Sequence, residues 1–512
     1  MTQGSLFRNI FLFSLPLMVS NVLQVLFNMS DVAVVGRFGP DNALGAVGST
    51  TTYVALFTGL LIGLGTGVNA VIAQRIGAKD DDGTSRVAHT AFIVAAVYGV
   101  AVAALAMGLA RPVLILMKTK EQFLDGALLY IYIYFAGAAG TAIYNFGNGV
   151  FSADGDTRKP LIFLSIAGVT NILLNLFFVI VCKMSVAGVA LASAISQWLS
   201  AGLIAAALHR SRRPYRLRLS ALRIDKKIAK SILVTGIPAG VQNAIFQLAN
   251  LFVQTGINSF DPTVVEGNTA AVNADTLVFE LMAAFYTACT SFIGQNYGAG
   301  RGERILKCYF VSLLYAFGAG LIFGLLIYAC ADIFLSFFTG SAAVIEAGKQ
   351  RLAVMCFSYA ISAFMDCTIA ASRGINRNVV PTVMVILGSC VFRIFWVFVI
   401  FPLGGHDDLP VSDLSRLVDP HGDGGDHILC RFLPQSAAAA LRAGRRGETG
   451  SRPRARGGRA GGRMICGKTI KKGRGKSRPV FSPPFLPSGN KRAPPREADA
   501  RRHEKGQNIP RF

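Results

Sequence analysis

The chain has 512 residues, 52% of them hydrophobic and 15% charged, with a formal net charge of +23. At ~150 residues per domain this length would fit about three soluble domains, but the apolar residues fall in long blocks, many exceeding the ~18–20 needed to cross a bilayer. That excludes a soluble multidomain protein, and the chain reads as an all-α polytopic membrane protein.

Eleven apolar blocks follow in order, at 11–35, 44–73, 88–110, 127–150, 160–182, 186–208, 231–257, 270–293, 308–330, 352–372 and 379–402, and each predicts one spanning helix. The first starts after Arg8 and runs through Pro16 and Asn21 with no small-residue cleavage site, so it is a span and not a signal peptide. It carries Asn21, Gln24, Asn28 and Asp31 at spacings of 3, 4 and 3, one stripe at helical periodicity. The second holds Gly63, Gly65 and Gly67, which allow close helix approach. Asn171 and Asn175 share a face of the fifth predicted helix and line an N-terminal cavity. Residues 209–230 form a basic linker that begins His209-Arg-Ser-Arg-Arg and ends at Lys230. The seventh block carries a second stripe, Asn243, Gln247, Asn250 and Gln254, at spacings of 4, 3 and 4. Asp275 and Glu280 in the eighth block, Asp366 in the tenth and Arg393 in the eleventh form a second charged set, and Asp366 with Arg393 suits a buried ion pair. The nine cysteines are odd in number, lack a C-x-x-C pair and lie mostly in apolar blocks, so they read as packing residues.

The chain repeats itself. Leu15-Pro16 with Ser20-Asn21 aligns with Ile237-Pro238 and Gln242-Asn243 at an offset of 222, and Ile72-Ala-Gln74-Arg-Ile-Gly77-Ala78 with Ile293-Gly-Gln295-Asn-Tyr-Gly298-Ala299 at 221. Gly155-Asp-Thr-Arg158 aligns more loosely with Gly374-Ile-Asn-Arg377 at 219. Six helices per repeat is an even number, so both copies enter the membrane in the same direction. The halves are then related by a pseudo-two-fold axis along the membrane normal. The predicted domains are an N-terminal lobe at 1–208, the linker at 209–230 and a C-terminal lobe at 231–402. With the N-terminus inside, cytoplasmic segments hold 20 basic residues and external ones 7, so the positive-inside bias places the N-terminus in the cytoplasm.

The repeat requires a twelfth helix after Pro402, and the sequence lacks one. Residues 403–512 instead carry 23 Lys and Arg against 10 Asp and Glu, and 11 of the 20 prolines. Stretches such as Arg452-Pro-Arg-Ala-Arg-Gly-Gly-Arg are built from residues with GC-rich codons. They read as a disordered, basic Gly/Arg/Pro-rich tail produced by a frameshift near 403–406, with the twelfth helix missing or replaced. The alternative is an Arg-Gly tail that binds RNA or anionic lipid, which would make the chain a membrane-anchored nucleic-acid-binding protein.

Polar side chains are costly in hydrocarbon, so they face the bundle interior or a wet cavity. Two facing amide stripes suit a hydrated cleft, although interhelical hydrogen bonds that only hold helices together would use the same residues. Asp31 adds a charge that packing does not need. A buried carboxyl can exchange a proton near neutral pH, and one with amide neighbours is equally a site for Na⁺, a hard cation that favours oxygen ligands. No Walker loop, H-E-x-x-H or G-x-S-x-G motif is present. A transporter of this sequence is therefore a secondary one, and not an enzyme.

Pro16, Asp31-Val-Ala-Val-Val-Gly36, Ala73-Gln74-Arg-Ile-Gly77-Ala78, Ala153-Asp-Gly155-Asp156-Thr157-Arg-Lys-Pro160 and Gly294-Gln295-Asn296-Tyr-Gly298-Ala299-Gly300 together resemble the multidrug and toxic compound extrusion (MATE) family over residues 5–402. The resemblance implies twelve helices in two six-helix lobes. It also implies export of small organic, often cationic compounds driven by H⁺ or Na⁺, with Asp31 as the cation-coupling carboxylate. The sequence departs from it at Phe246-Gln247, where some members carry a Glu. On this reading the protein is a multi-pass monomer of the plasma (inner) membrane. It works in the lipid bilayer without a cofactor beyond its coupling ion and without nucleic acid. A lipid-linked oligosaccharide flippase of related architecture is the runner-up, for which a strongly cationic cavity is expected in place of amide stripes with one acid.

Overall fold

The computed structural model describes residues 1–39, 43–257 and 260–395, all within one compact unit, Met1–Ser451. Apolar runs can satisfy their backbone in lipid only as helices or closed barrels, and the described residues form helices without a strand. The first half comprises α1 (Leu6–Phe38), α2 (Ala43–Gly77), α3 (Asp81–Leu116), α4 (Glu121–Phe135), α5 (Ala138–Asp154), α6 (Arg158–Leu176) and α7 (Ser185–Arg210). The second comprises α8 (Lys226–Ile257), α9 (Pro262–Gly298), α10 (Gly302–Ala329), the short α11 (Ala331–Ser336), α12 (Ala342–Gly374), α13 (Val379–Val385) and α14 (Phe392–Phe395). Nine helices among the described residues are long and apolar enough to span a membrane, and α4 with α5 makes a tenth span. The stretch Val379–Phe395 is shorter, because its predicted block continues beyond the described residues. The tail and any twelfth helix also lie outside them.

Two features differ from the sequence reading. The fourth predicted helix is broken, with α4 and α5 bent by 45° at Ala136-Gly137. The helices also overrun their apolar blocks, as α9 does by starting at Pro262, because polar turns at the membrane edges continue the helix. Asp261 caps α9 by accepting from the Thr263 amide at 2.9 Å, and Asp80 caps α3 through the Gly83 amide at 2.8 Å. The Gly83 bond, aided by Arg75, holds the Asp80 carboxyl below the usual carboxylate range.

Each half lends its first turns to the other. Leu6, Ile10, Phe13 and Leu17 of α1 are buried in the apolar core formed by α9, α10 and α12, and Phe13 meets Phe292 edge-on at 5.6 Å. Ile228 and Ile232 of α8, the repeat mates of Leu6 and Ile10, are buried in the core of the first half. The far end of α1, at Val34 and Val35, returns to a core with α2, α4 and α7. Helix α1 therefore straddles both lobes.

The pseudo-two-fold is visible bond by bond. Asn21 donates to the Glu280 carbonyl at 2.9 Å, and Asn243 to the Gly59 carbonyl at 3.5 Å. Gln74 donates to the Gly374 carbonyl at 2.8 Å, and Gln295 to the Ala153 carbonyl at 2.6 Å. In each couple both donors and both acceptors are 221 or 222 residues apart, so Gly374 is in register with Ala153, two residues before the Gly155 of the looser alignment. Ser291 donates to Asn69 Oδ1 at 3.0 Å; these two are themselves 222 apart, which sets their bond beside the axis.

Glycines make this contact close. A Cβ at Gly63 would fall 2.2 Å from the Gly240 nitrogen, while one at Gly65 would meet the Asn145 carbonyl on the opposite side. At the end of the interface a Cβ at Gly77 would lie 2.0 Å from the Gln295 oxygen, and one at Gly298 would lie 1.9 Å from the Gln74 oxygen. Gly298→Ala is accordingly expected to lower stability by roughly 1–3 kcal/mol through overpacking, read as an earlier melting transition in detergent. Gly318→Ala, whose methyl would meet nothing within 4 Å, serves as the neutral control.

The linker is tied to the first half. Tyr215 is buried and donates to Asp154 Oδ2 at 2.9 Å; burial, then the Asp154 carboxylate, push its phenol up. The Arg218 amide donates to His89 Nε2 at 3.0 Å, and Thr90 Oγ1 accepts from the Asp225 amide at 3.2 Å.

Candidate cation-coupling site

Asp31 lies two turns before the end of α1, where α6 and α7 cross it, and it is buried. Asn175 Nδ2 donates to Asp31 Oδ1 at 2.6 Å, and Ser193 Oγ donates to Oδ2 at 3.0 Å. Asn175 also donates to Asn171 Oδ1 at 3.2 Å, and Asn171 donates to Ser193 Oγ at 3.3 Å. The four side chains close a ring in which every donor chain ends on the carboxylate. Asn171 and Asn175 reach it together because an i, i+4 pair shares one helix face. Val34, Val35, Val179 and Val189, each within four residues of a ring member in sequence, belong to one buried apolar cluster.

One buried polar atom in the ring has no partner, Asn175 Oδ1. The carboxylate, the two amide oxygens and the Ser193 hydroxyl together form an oxygen set suited to a hard cation. A proton fits the same place: a protonated carboxyl needs an acceptor, and turning the Asn175 amide would supply one.

The remaining predicted residues are dispersed. Gln24 and Asn28 are exposed, as are Gln247 and Asn250. Asn21 and Asn243 are spent on the bonds between the lobes described above. Asn250 Oδ1 accepts from Arg393 Nη1 at 3.1 Å, and Gln254 Oε1 accepts from Asn268 at 3.4 Å. The ion pairs of the described residues do not join Asp366 to Arg393; that expectation fails because Arg393 is directed onto α8. Asp366 stays half-buried on α12, and Glu280 contributes its main-chain oxygen to Asn21.

Asp275 instead belongs to a network that the sequence reading did not assemble. Arg351 bridges Asp275 and Asn268, and Tyr359 donates to the other Asp275 oxygen. Arg351 is 7% exposed and Asp275 20%, so the guanidinium is buried and its carboxylate partner is partly so. Through Asn268 the network runs on to Gln254. Arg351 was hidden because it sits one residue outside its apolar block and counts there as a flanking charge. Ser193 was hidden because a serine in an alanine-rich helix carries no signal of its own.

Two stretches of the chain, 16–177 and 238–399, match the family model MatE. The chain belongs to the MATE family. Both ends of the second match fall 222 residues after those of the first, the offset of the repeat. Among curated members, the "Probable multidrug resistance protein YpnP" of Bacillus subtilis is 30% identical over 307 residues, 59% of this chain and 68% of that protein. The "Probable multidrug resistance protein NorM" of Thermotoga maritima is 25% identical over 76% of this chain and 85% of its own length. The "FAD transporter" of Shewanella oneidensis is 25% identical over 59% and 67%. Among solved structures, the outward-facing conformation of a multidrug resistance MATE family transporter superposes with a TM-score of 0.78 at 23% identity. It covers 86% of this chain and 98% of the other. A transporter of the same superfamily from Pyrococcus furiosus gives 0.79 at 23% over the same shares. The protein is thus a multi-pass, all-α membrane protein of a multidrug efflux family, with the two-lobe fold.

Proposed function

We propose that the chain is a secondary active exporter of small organic compounds that exchanges substrate for H⁺ or Na⁺ by alternating access, with Asp31 as the coupling carboxylate. The observation that carries this reading is the buried ring of Asp31, Asn171, Asn175 and Ser193. A ligand shifts a conformational equilibrium only through its different affinities for the two states. Here the cation replaces donated hydrogen bonds at Asp31 and changes how α1 is held to α6 and α7. The first turns of α1 are packed in the opposite lobe, so the change is transmitted across the interface. Cation arrival from the outside releases substrate, and cation release to the cytoplasm resets the lobes. In this scheme the N-terminus is cytoplasmic, the protein is a monomer in the inner membrane, and the amides that face the cleft, Gln24, Asn28, Gln247 and Asn250, meet the substrate.

The two stripes are amide-rich with Asp31 as their one acid, which favours organic cations over the pyrophosphate-bearing substrates of a flippase, for which a strongly cationic cavity is expected. The FAD transporter among the relatives marks an anionic nucleotide as the competing substrate class. Reconstituted vesicles with an imposed pH or Na⁺ gradient test the proposal. Efflux of a fluorescent organic cation is expected to rise severalfold under one of the two gradients. Efflux indifferent to both would sink the antiport reading.

A further inference from the structure

The structure assigns Gln74 and Gln295 to a two-point clasp that holds the lobes shut at the face carrying the N-terminus and must release before the central cleft opens there. Counted from Met1, the spans that end at this face are the even ones, so α2, α5, α9 and α12 all finish on it. Gln74 lies in the last turn of α2 and donates across the interface to the carbonyl of Gly374, at the end of α12. Gln295 lies in the last turn of α9 and donates back to the carbonyl of Ala153, at the end of α5. The two bonds are related by the pseudo-two-fold, so a rocking motion that preserves this symmetry lengthens both together.

The surroundings make the bonds depend on closure. Gly77 and Gly298 let each backbone touch the carbonyl of the opposing glutamine, at separations that any Cβ would prevent. Gln295 is 5% exposed, so losing its bond leaves a buried amide unsatisfied, which is costly. Both acceptors are main-chain carbonyls at helix ends, groups without an intrahelical donor. The clasp therefore satisfies two orphan acceptors when shut, and water must satisfy all four groups when it is open. The bonds at Asn21, Asn243 and Ser291 lie deeper in the same interface, and beyond the glutamine pair Arg301 and Arg304 hold the carbonyls of Thr2 and Gly4 at the same face.

The clasp deepens the alternating-access reading and rests on it for its role in transport, but its geometry is tested without substrate. Asp82 and Glu303 are repeat mates on the exposed first turns of α3 and α10. Spin labels on Asp82→Cys and Glu303→Cys, in the full-length chain with its native cysteines changed to Ser, report the separation of the lobes by pulsed electron resonance in lipid nanodiscs. Gln74→Met and Gln295→Met keep the length and packing of the side chain and remove only the donor. Each is expected to raise the long-distance population roughly fivefold, and the double variant roughly 25-fold, at the usual net worth of a hydrogen bond. The two single variants should match, as symmetry mates. Gln74→Ala and Gln295→Ala provide the same reading if a methionine variant does not fold. Distances equal to wild type in the folded double variant overturn the clasp, whether or not the protein exports anything. Opened distances in a protein that fails the vesicle assay retain the clasp and remove the exporter reading instead.

Discussion

Asp31→Asn is expected to leave the fold intact and to remove the cation's hold on transport, a roughly 100-fold loss toward the upper end of usual coupling energies. The substitution is isosteric, so α1, α6 and α7 keep their packing. Its amide oxygen can still accept from Ser193 or Asn175. What disappears is the charge: the ring then presents neutral dipoles and neither binds nor releases a cation, and the transporter stays in one arm of its cycle. Asp31→Glu keeps the charge but pushes the carboxylate about one methylene into the apolar core around it, so partial coupling is expected. Gradient-driven efflux in vesicles measures both. Coupled export at the wild-type level in a well-folded Asp31→Asn protein would remove Asp31 from the mechanism.

The largest stability effect is expected at Arg351. Arg351→Met leaves Asp275 with only Tyr359; an uncompensated, fully buried charge costs about 3–5 kcal/mol, and the partly exposed Asp275 places the expected loss toward the lower end of that range. The Asn268 side-chain oxygen loses its donor as well, while its amide keeps Gln254. The double variant Arg351→Met, Asp275→Leu removes both charges and should recover most of the loss, since well-packed apolar replacements of buried pairs are often neutral or better. Thermal melting of the single and double variants in detergent decides the matter. A single variant as stable as wild type would show that the pair carries little weight. The network is confined to the C-terminal half: the residues 221 before Asp275 and Asn268 are Val54 and Val47. The Asp31 ring is likewise confined to the N-terminal half, where the mate of Asp31, Val253, is apolar. The two lobes share a backbone plan and differ in where they bury charge.

The helices and the repeat were legible because hydropathy and spacing are local. The matching of Asn21 with Asn243 and of Gln74 with Gln295 was legible as similarity, and its cause is now physical: a two-fold interface requires each donor twice. Asp31, Asn171 and Asn175 were legible as unusual polar residues, and the fold makes them one site. Ser193 and Arg351 were not, because their meaning lies in partners far along the chain, such as Asp31 and Asp275. The bend at Ala136-Gly137 left no mark because the apolar run continues unbroken across it. The stripes misled in part: a polar face on a helix signals a polar neighbour, and at Asn21 that neighbour is a main-chain carbonyl of the other lobe.

The exchange of first turns between α1 and α8 also bears on how the molecule is made. Leu6 and Ile10 pack with residues from Val278 to Ala370, which leave the ribosome on the order of tens of seconds later at ~5–20 residues per second. During that interval the opening turns of α1 have lipid or a chaperone as their only apolar partner. The first lobe in turn waits for Ile228 and Ile232. Neither half can mature by itself, and insertion of the early helices must precede, and tolerate, a core that is completed from the far end of the chain.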